Sequence, residues 1–205
     1  MKENQVEQNI LNAAMKVFVE KGKAGARMQE IADCAGVNKM LLHYYFKDKD
    51  TLFLEVVKRI VVDLYGSVFN GNMDSLTFKE FLSGFIDRHF DFLYERKDAF
   101  QFLVWELSRQ KLNLRDVVSD CYVGYRQSPF KIFTDKLNEA IAKGEIRAVD
   151  TREFILNLFS LDLFMFVALP VIQDMAPMDD DQLAAALERR KKEVFRLLWN
   201  DIRIN

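Results

Sequence analysis

Apolar residues recur at helical spacing, every three or four positions, along almost the whole chain. Ile10, Leu11, Ala14, Val17 and Phe18 form one stripe and predict a helix from about Glu7 to Glu20, closed by Lys21-Gly22. A short helix follows over about Met28–Cys34, then Ala35-Gly36-Val37-Asn38, then a third helix over Lys39–Tyr45. Gly36 suits a turn that needs positive φ, and Asn38 can cap the third helix through its side-chain oxygen. Ile31, Ala32, Ala35, Val37, Leu41 or Leu42, Tyr45 and Phe46 supply a small core. Two helices this short cannot stand alone, so the first must pack across them. Asp48 caps a long helix beginning at Lys49, whose apolar residues run from Leu52 to Val68.

The remaining pattern is also helical, over about Phe78–Tyr94, Asp98–Arg109 and Leu114–Lys143, the last kinked or broken at Ser128-Pro129. Lys143-Gly144-Glu145 is a stop. A Phe-rich helix then runs from Asp150 or Thr151 to about Leu169, where Pro170 should bend or end it. A final helix covers about Gln182–Asn200. The expected fold is all-α: a small three-helix domain over residues 1–48 and a larger helical bundle over 49–205.

Composition supports this. Half of the chain is apolar, with only 3 prolines and 8 glycines. The net charge of −2 neither suggests a protein wrapped in positive charge nor excludes DNA binding through one small basic face. Cys34 and Cys121 lie far apart and the two histidines, His43 and His89, belong to no metal-spaced cluster, so no metal is expected. The polar N-terminus shows no signal peptide. The longest apolar stretch, Phe154–Ile172, is interrupted by Asn157, Ser160 and Asp162, which reads as a buried or interface helix in a cytoplasmic protein and not as a membrane span. No catalytic triad, phosphate loop or dinucleotide fingerprint is present, so neither an enzyme nor a cofactor is expected.

The two short helices fit a helix-turn-helix, in which the second helix enters the DNA major groove. Its outward residues are Lys39, Met40, His43 and Tyr44. Lys39 can donate to guanine, His43 can donate or accept, and Met40 offers apolar contact to a thymine methyl. The Tyr44 and Tyr45 hydroxyls can reach phosphates, and Lys49 lies beside the free N–H groups that open the next helix. The same pattern also fits a helical protein that never touches DNA, with Tyr45 and Phe46 as core and Lys39, Lys47 and Lys49 as surface charge.

The run Ile31-Ala32-Asp33-Cys34-Ala35-Gly36-Val37-Asn38-Lys39, continued by Leu42-His43-Tyr44-Tyr45-Phe46 and Lys47-Asp48-Lys49-Asp50-Thr51-Leu52, closely resembles the N-terminal domain of TetR/AcrR-family regulators. The resemblance covers residues 9–55; the rest matches only in architecture. It implies base contacts by Lys39, Met40 and His43, and backbone contacts by Arg27, Asn38, Tyr44, Tyr45 and Lys49. Arg27 stands where the family commonly has threonine, His43 where tyrosine is commonest and Met40 where a small residue is usual. These departures leave the operator sequence unreadable by analogy.

The resemblance further implies a homodimer on a palindromic double-stranded DNA operator, released by a small-molecule effector bound in the C-terminal bundle. A regulator of the same fold controlled by a protein partner or by abundance is the alternative. Candidates for the effector site are Phe85, His89, Phe102, Trp105, Glu106, Tyr122, Tyr125, Phe159, Asp162 and Phe166, because aromatic walls with a few polar groups suit a small molecule. With 18 phenylalanines, most must be plain core. His89 has no evident acid–base partner at helical spacing other than surface carboxylates. Asp162 has three readings: it faces a ligand, it pairs with Arg126, Arg190 or another base, or it reaches solvent at a rim. The helices at about Thr151–Leu169 and Gln182–Asn200 are expected to form a four-helix bundle between subunits.

Overall fold

The computed structural model describes residues 2–69, 73, 75–109 and 128–204. Its helices are α1 (Lys2–Gly25), α2 (Met28–Ala35), α3 (Lys39–Tyr45), α4 (Lys49–Val68), α5 (Phe78–Glu95), α6 (Lys97–Arg109), α7 (Pro129–Ala142), α8 (Thr151–Met175) and α9 (Asp180–Ile202). The fold is all-α, with helix-turn-helix elements at the N-terminal end and a larger bundle after them. An isolated antiparallel bridge, Ile146 to Arg203, is the β-type pairing present among the described residues.

The helices divide into two compact units. One gathers α1–α3, α4 as far as Asp63, and α6 from Asp98; the other holds the end of α4 with α5, α7, α8 and α9. In the first unit the stripe of α1 is buried against α2, with Ile10, Ala14 and Phe18 fully covered. Phe18 meets Phe53 edge-on at 5.6 Å and stacks on Phe102 at 6.3 Å, so α6 brings an aromatic residue into this core. Leu42, not Leu41, is the buried residue of α3.

The regular stretch of α1 closes at Gly22 as expected, and a short second stretch follows it. The helix kinks at Gly22 (φ 67°, ψ 166°), a backbone conformation that costs a side chain dearly, and resumes to Gly25. The kink strands the Lys23 N–H, which donates instead to the buried Glu106 carboxylate of α6 at 3.0 Å.

In the second unit α5 packs on α7, α8 and α9, and α8 also meets α7 and α9. Thr77 with Glu80 and Asp179 with Gln182 form capping boxes at the starts of α5 and α9. Ser128 and Asp150 cap α7 and α8. The core is a lattice of rings: Phe133 lies 4.6 Å from Phe85, 5.0 Å from Phe81 and 6.2 Å from Phe69.

Helix α8 does not end at Pro170 but continues to Met175. Proline removes one backbone donor, yet the helix runs on for five more residues, none of them buried. The final helix likewise starts at Asp180, earlier than the apolar pattern suggested, because the Asp179 cap sits ahead of the first apolar residue. By length and composition α8 could cross a membrane, yet it buries Phe154, Ile155, Leu158, Asp162, Phe166 and Leu169 within the chain.

Candidate nucleic-acid interface and a buried polar pair

The geometry of the N-terminal unit follows from its caps. Gly36, at φ 68°, ends α2, and the Val37 N–H returns to the Ala32 carbonyl at 3.0 Å. The Asn38 side chain then accepts the Leu41 N–H at 2.7 Å and starts α3. With Leu42 turned inward, Lys39, Met40, His43 and Tyr44 stand outside; Met40 is 80% exposed and Tyr44 77%.

His43 is fixed, not floppy. Its Nδ1 donates to the Lys47 carbonyl at 2.9 Å, so in the neutral ring Nε2 is left as an acceptor. Such an acceptor suits the exocyclic amine of adenine or cytosine. Tyr45 is half-buried against the core and lies 5.5 Å edge-on from the exposed Tyr44.

Two basic residues have structural partners. The Lys49 ammonium donates to the carbonyls of Ala24 (3.2 Å) and Ala26 (3.0 Å), tying the start of α4 to the end of α1. Lys23 pairs with Asp50 at 3.0 Å and lies over the Phe53 ring. Asp48 accepts the Thr51 N–H at 2.7 Å as the cap of α4, and these hydrogen bonds hold its carboxyl below the usual range. Arg27 occupies the N-cap position of α2 with an exposed side chain that makes no cap bond.

The effector-site candidates separate into groups. Phe102 and Glu106 belong to the first unit, one in its core and the other on the α1 kink, while Trp105 is 60% exposed. Tyr122, Tyr125 and Arg126 lie outside the described residues. Phe85, His89, Phe159 and Asp162 come together in the second unit, with Phe166 one turn along α8 and packed on Phe90 at 5.5 Å.

Asp162 is fully buried, so its rim reading is wrong. His89, which has only surface carboxylates at helical spacing, finds its acid–base partner 73 residues away: its Nδ1 donates to Asp162 Oδ2 at 3.1 Å. Helical spacing within one element could not reveal a bond made between α5 and α8. Phe85 stacks on the His89 ring at 5.1 Å and Phe159 meets it edge-on at 5.8 Å. Burial pushes the Asp162 carboxyl up, opposed by His89 and more weakly by Arg190. Asp162 Oδ1 is buried and has no hydrogen-bond partner among the described residues. The usable signal in the sequence was that His89 and Asp162 each interrupt an apolar stripe.

Sequence reasoning also missed Glu106 as the cap of the α1 kink and Lys49 as its brace. Neither leaves a trace in periodicity, because both bond backbone atoms. Among the described residues no group of three or more His, Cys, Asp or Glu could hold a metal ion.

Residues 10–56 match the family model for bacterial regulatory proteins, tetR family. The chain is 28% identical over 138 residues to the fatty acid metabolism regulator protein of Bacillus subtilis, covering 67% of this chain and 69% of that one. It is 33% identical over 94 residues to the HTH-type transcriptional activator FasR of Mycolicibacterium smegmatis, an alignment spanning 46% of this chain and only 43% of that protein. Among solved structures, the regulator FadR from Bacillus subtilis in complex with stearoyl-CoA aligns at TM-score 0.69 and 24% identity, covering 93% of this chain and 96% of that one. A tetR-family regulator from a Shewanella species aligns at TM-score 0.68 and 16% identity, covering 98% and 99%.

Proposed function

We propose that the chain, whose residues 10–56 match the family model for bacterial regulatory proteins, tetR family, is a cytoplasmic homodimeric TetR-family repressor of transcription, released from a palindromic operator by a small apolar effector. The observation that carries this reading is the capped, outward-facing α3, with Lys39, Met40 and the tethered His43 on one exposed surface. These three read base edges. Arg27, Asn38, Tyr44, Tyr45 and Lys49 hold the sugar–phosphate backbone. For Lys49 that contact comes on top of its bonds to Ala24 and Ala26, so it places the backbone-facing surface as well as contributing charge.

The dimer rests on an apolar stripe along α8. Leu156, Phe164, Val167, Val171 and Met175 recur at helical spacing and are between 46% and 83% exposed. An apolar surface of that kind needs a cover, and a second copy supplies the identical stripe. On α9 the same role falls to Leu197, 40% exposed, since Leu183, Leu187, Val194 and Leu198 are buried within the chain. The effector occupies the ring-lined interior of the second unit, beside His89 and Asp162. The related regulator bound to stearoyl-CoA favours a second reading of its chemistry, a fatty acyl chain, which the phenylalanine lattice would also accept.

Selection of DNA from a random pool by the purified protein tests the whole reading. A two-fold symmetric site is expected, bound with steep salt dependence by a species that sediments as a dimer. Binding without sequence preference, or a monomer at micromolar concentration with and without DNA, would overturn it.

A further inference from the structure

Asp162 Oδ1 has the chemistry of an anchor. The residue sits midway along a largely apolar helix, is wholly buried, and spends only one of its two oxygens on His89. A buried acceptor without a donor costs free energy that no folding advantage explains. Phe159 and Phe166 flank it at helical spacing on the same face of α8, and Phe85 and Phe159 enclose the His89 ring.

The charges nearby decide what Oδ1 wants. His89 on α5 donates its Nδ1–H to the other oxygen. Arg190 on α9 donates Nη2 to the Leu161 carbonyl at 3.1 Å, which places a fixed cation close to Asp162. Burial pushes the carboxyl up, and both of these groups oppose it by favouring the ionised form, in which Oδ1 accepts hydrogen bonds and donates none.

We propose that Asp162 Oδ1 binds the N–H or O–H group of an apolar effector, an amine or an alcohol, whose hydrocarbon body packs on the Phe85, Phe159 and Phe166 rings. His89 is the positioning residue: its bond to Oδ2 fixes the carboxylate plane and leaves Oδ1 for the ligand. A free carboxylic acid would meet a like charge, and an ester would bring only acceptors. The proposal rests on the effector-responsive reading given above, and names the chemistry of its ligand.

The test uses four probes on the full-length protein: 2-phenylethylamine, 2-phenylethanol, methyl phenylacetate and phenylacetate. Binding is read by calorimetry and by the rise in thermal midpoint. The amine or the alcohol should bind at least tenfold more tightly than the ester and the acid, and which of the two wins tells cation from neutral donor. Asp162→Leu should abolish that preference while leaving the weak ester affinity. Should Asp162→Leu fail to fold, Asp162→Asn, which keeps one acceptor oxygen and no charge, should lose amine binding but retain part of the alcohol's. Ester or acid binding as tight as the donors, donor binding indifferent to both substitutions, or no donor binding at millimolar concentration would each overturn the proposal. Operator retention measured alongside separates the two levels. If an acceptor-only ligand releases DNA and Asp162→Leu does not alter that release, the effector-released repressor stands and the anchor falls. If the donors bind at Asp162 without changing operator affinity, the anchor stands and the release mechanism falls.

Discussion

In the N-terminal unit the side chains with chemistry to offer stand outside. Lys39, Met40, His43 and Tyr44 are exposed over a core of aliphatic residues and four phenyl rings, and Glu106 is its one buried charged side chain among the described residues. The second unit is arranged the other way. His89, Lys136, Asp162 and Lys191 are buried, while much of what α8 exposes is apolar. Lys191 shows the ordinary use of a buried charge, since its ammonium is shared between Asp91 and Glu188. Asp162 differs in holding an oxygen back. A surface that reads a polymer is built from projecting groups on a sealed scaffold, whereas a site for a small molecule must put its polar group where water is excluded.

The largest effect should come from the ring lattice. Phe133→Ala removes a side chain in contact with several rings and should lower the unfolding free energy by about 3–5 kcal/mol in denaturant titration. If the interior of this unit serves the effector, the folded fraction should still bind operator but respond to effector less. Loss of operator affinity in the folded protein would break the contrast between the units.

Next come the projecting groups. Lys39→Ala and His43→Ala should each change discrimination at one or two base pairs by about 1–3 kcal/mol, measured against a panel of single-base operator variants, with no effect on ligand binding. An equal loss across all sequences would move both residues from base reading to backbone contact.

The difference in legibility between the units has the same physical origin. A helix-turn-helix is local: Gly36, Asn38 and Asp48 act on neighbours three residues away, so spacing along the chain reports the structure directly. The residues that α3 exposes therefore follow from its register. The His89–Asp162 bond joins α5 to α8, and its geometry depends on how two Phe-rich helices rotate against each other. Composition announced the rings but not which face each would take, so Phe102 was grouped with Phe85 although they belong to different units. Pro170 is a different case: a proline can bend or end a helix, and its presence alone does not say that α8 continues to Met175.

The smallest effect is one of pH. Burial raises the Asp162 carboxyl above the usual carboxylate range, with His89 of α5 and Arg190 of α9 facing it. A carboxyl whose pKa is higher in the folded chain contributes stability below its unfolded value and loses it as pH rises through the folded value. The unfolding free energy of the wild type should therefore rise relative to Asp162→Asn in urea titrations as pH falls through the folded value toward the ordinary carboxylate value. A pH-independent difference would show a carboxylate solvated as well folded as unfolded, contrary to its burial.

The kink in α1 bears on which changes this protein can tolerate over generations. Alanine is the residue that most helical positions accept best. At Gly22 it meets two separate obstacles: a φ of 67° that a side chain resists, and the Glu106 carboxylate oxygen 3.2 Å from where its Cβ would stand. Gly25, three residues on, lacks the strained φ and has ordinary room for a Cβ. In a library of all single substitutions selected for operator binding, position 22 should stay glycine while position 25 drifts. Lineages that do replace Gly22 should carry a shorter residue at position 106 as well, a paired change between sites 84 positions apart that reads as one event.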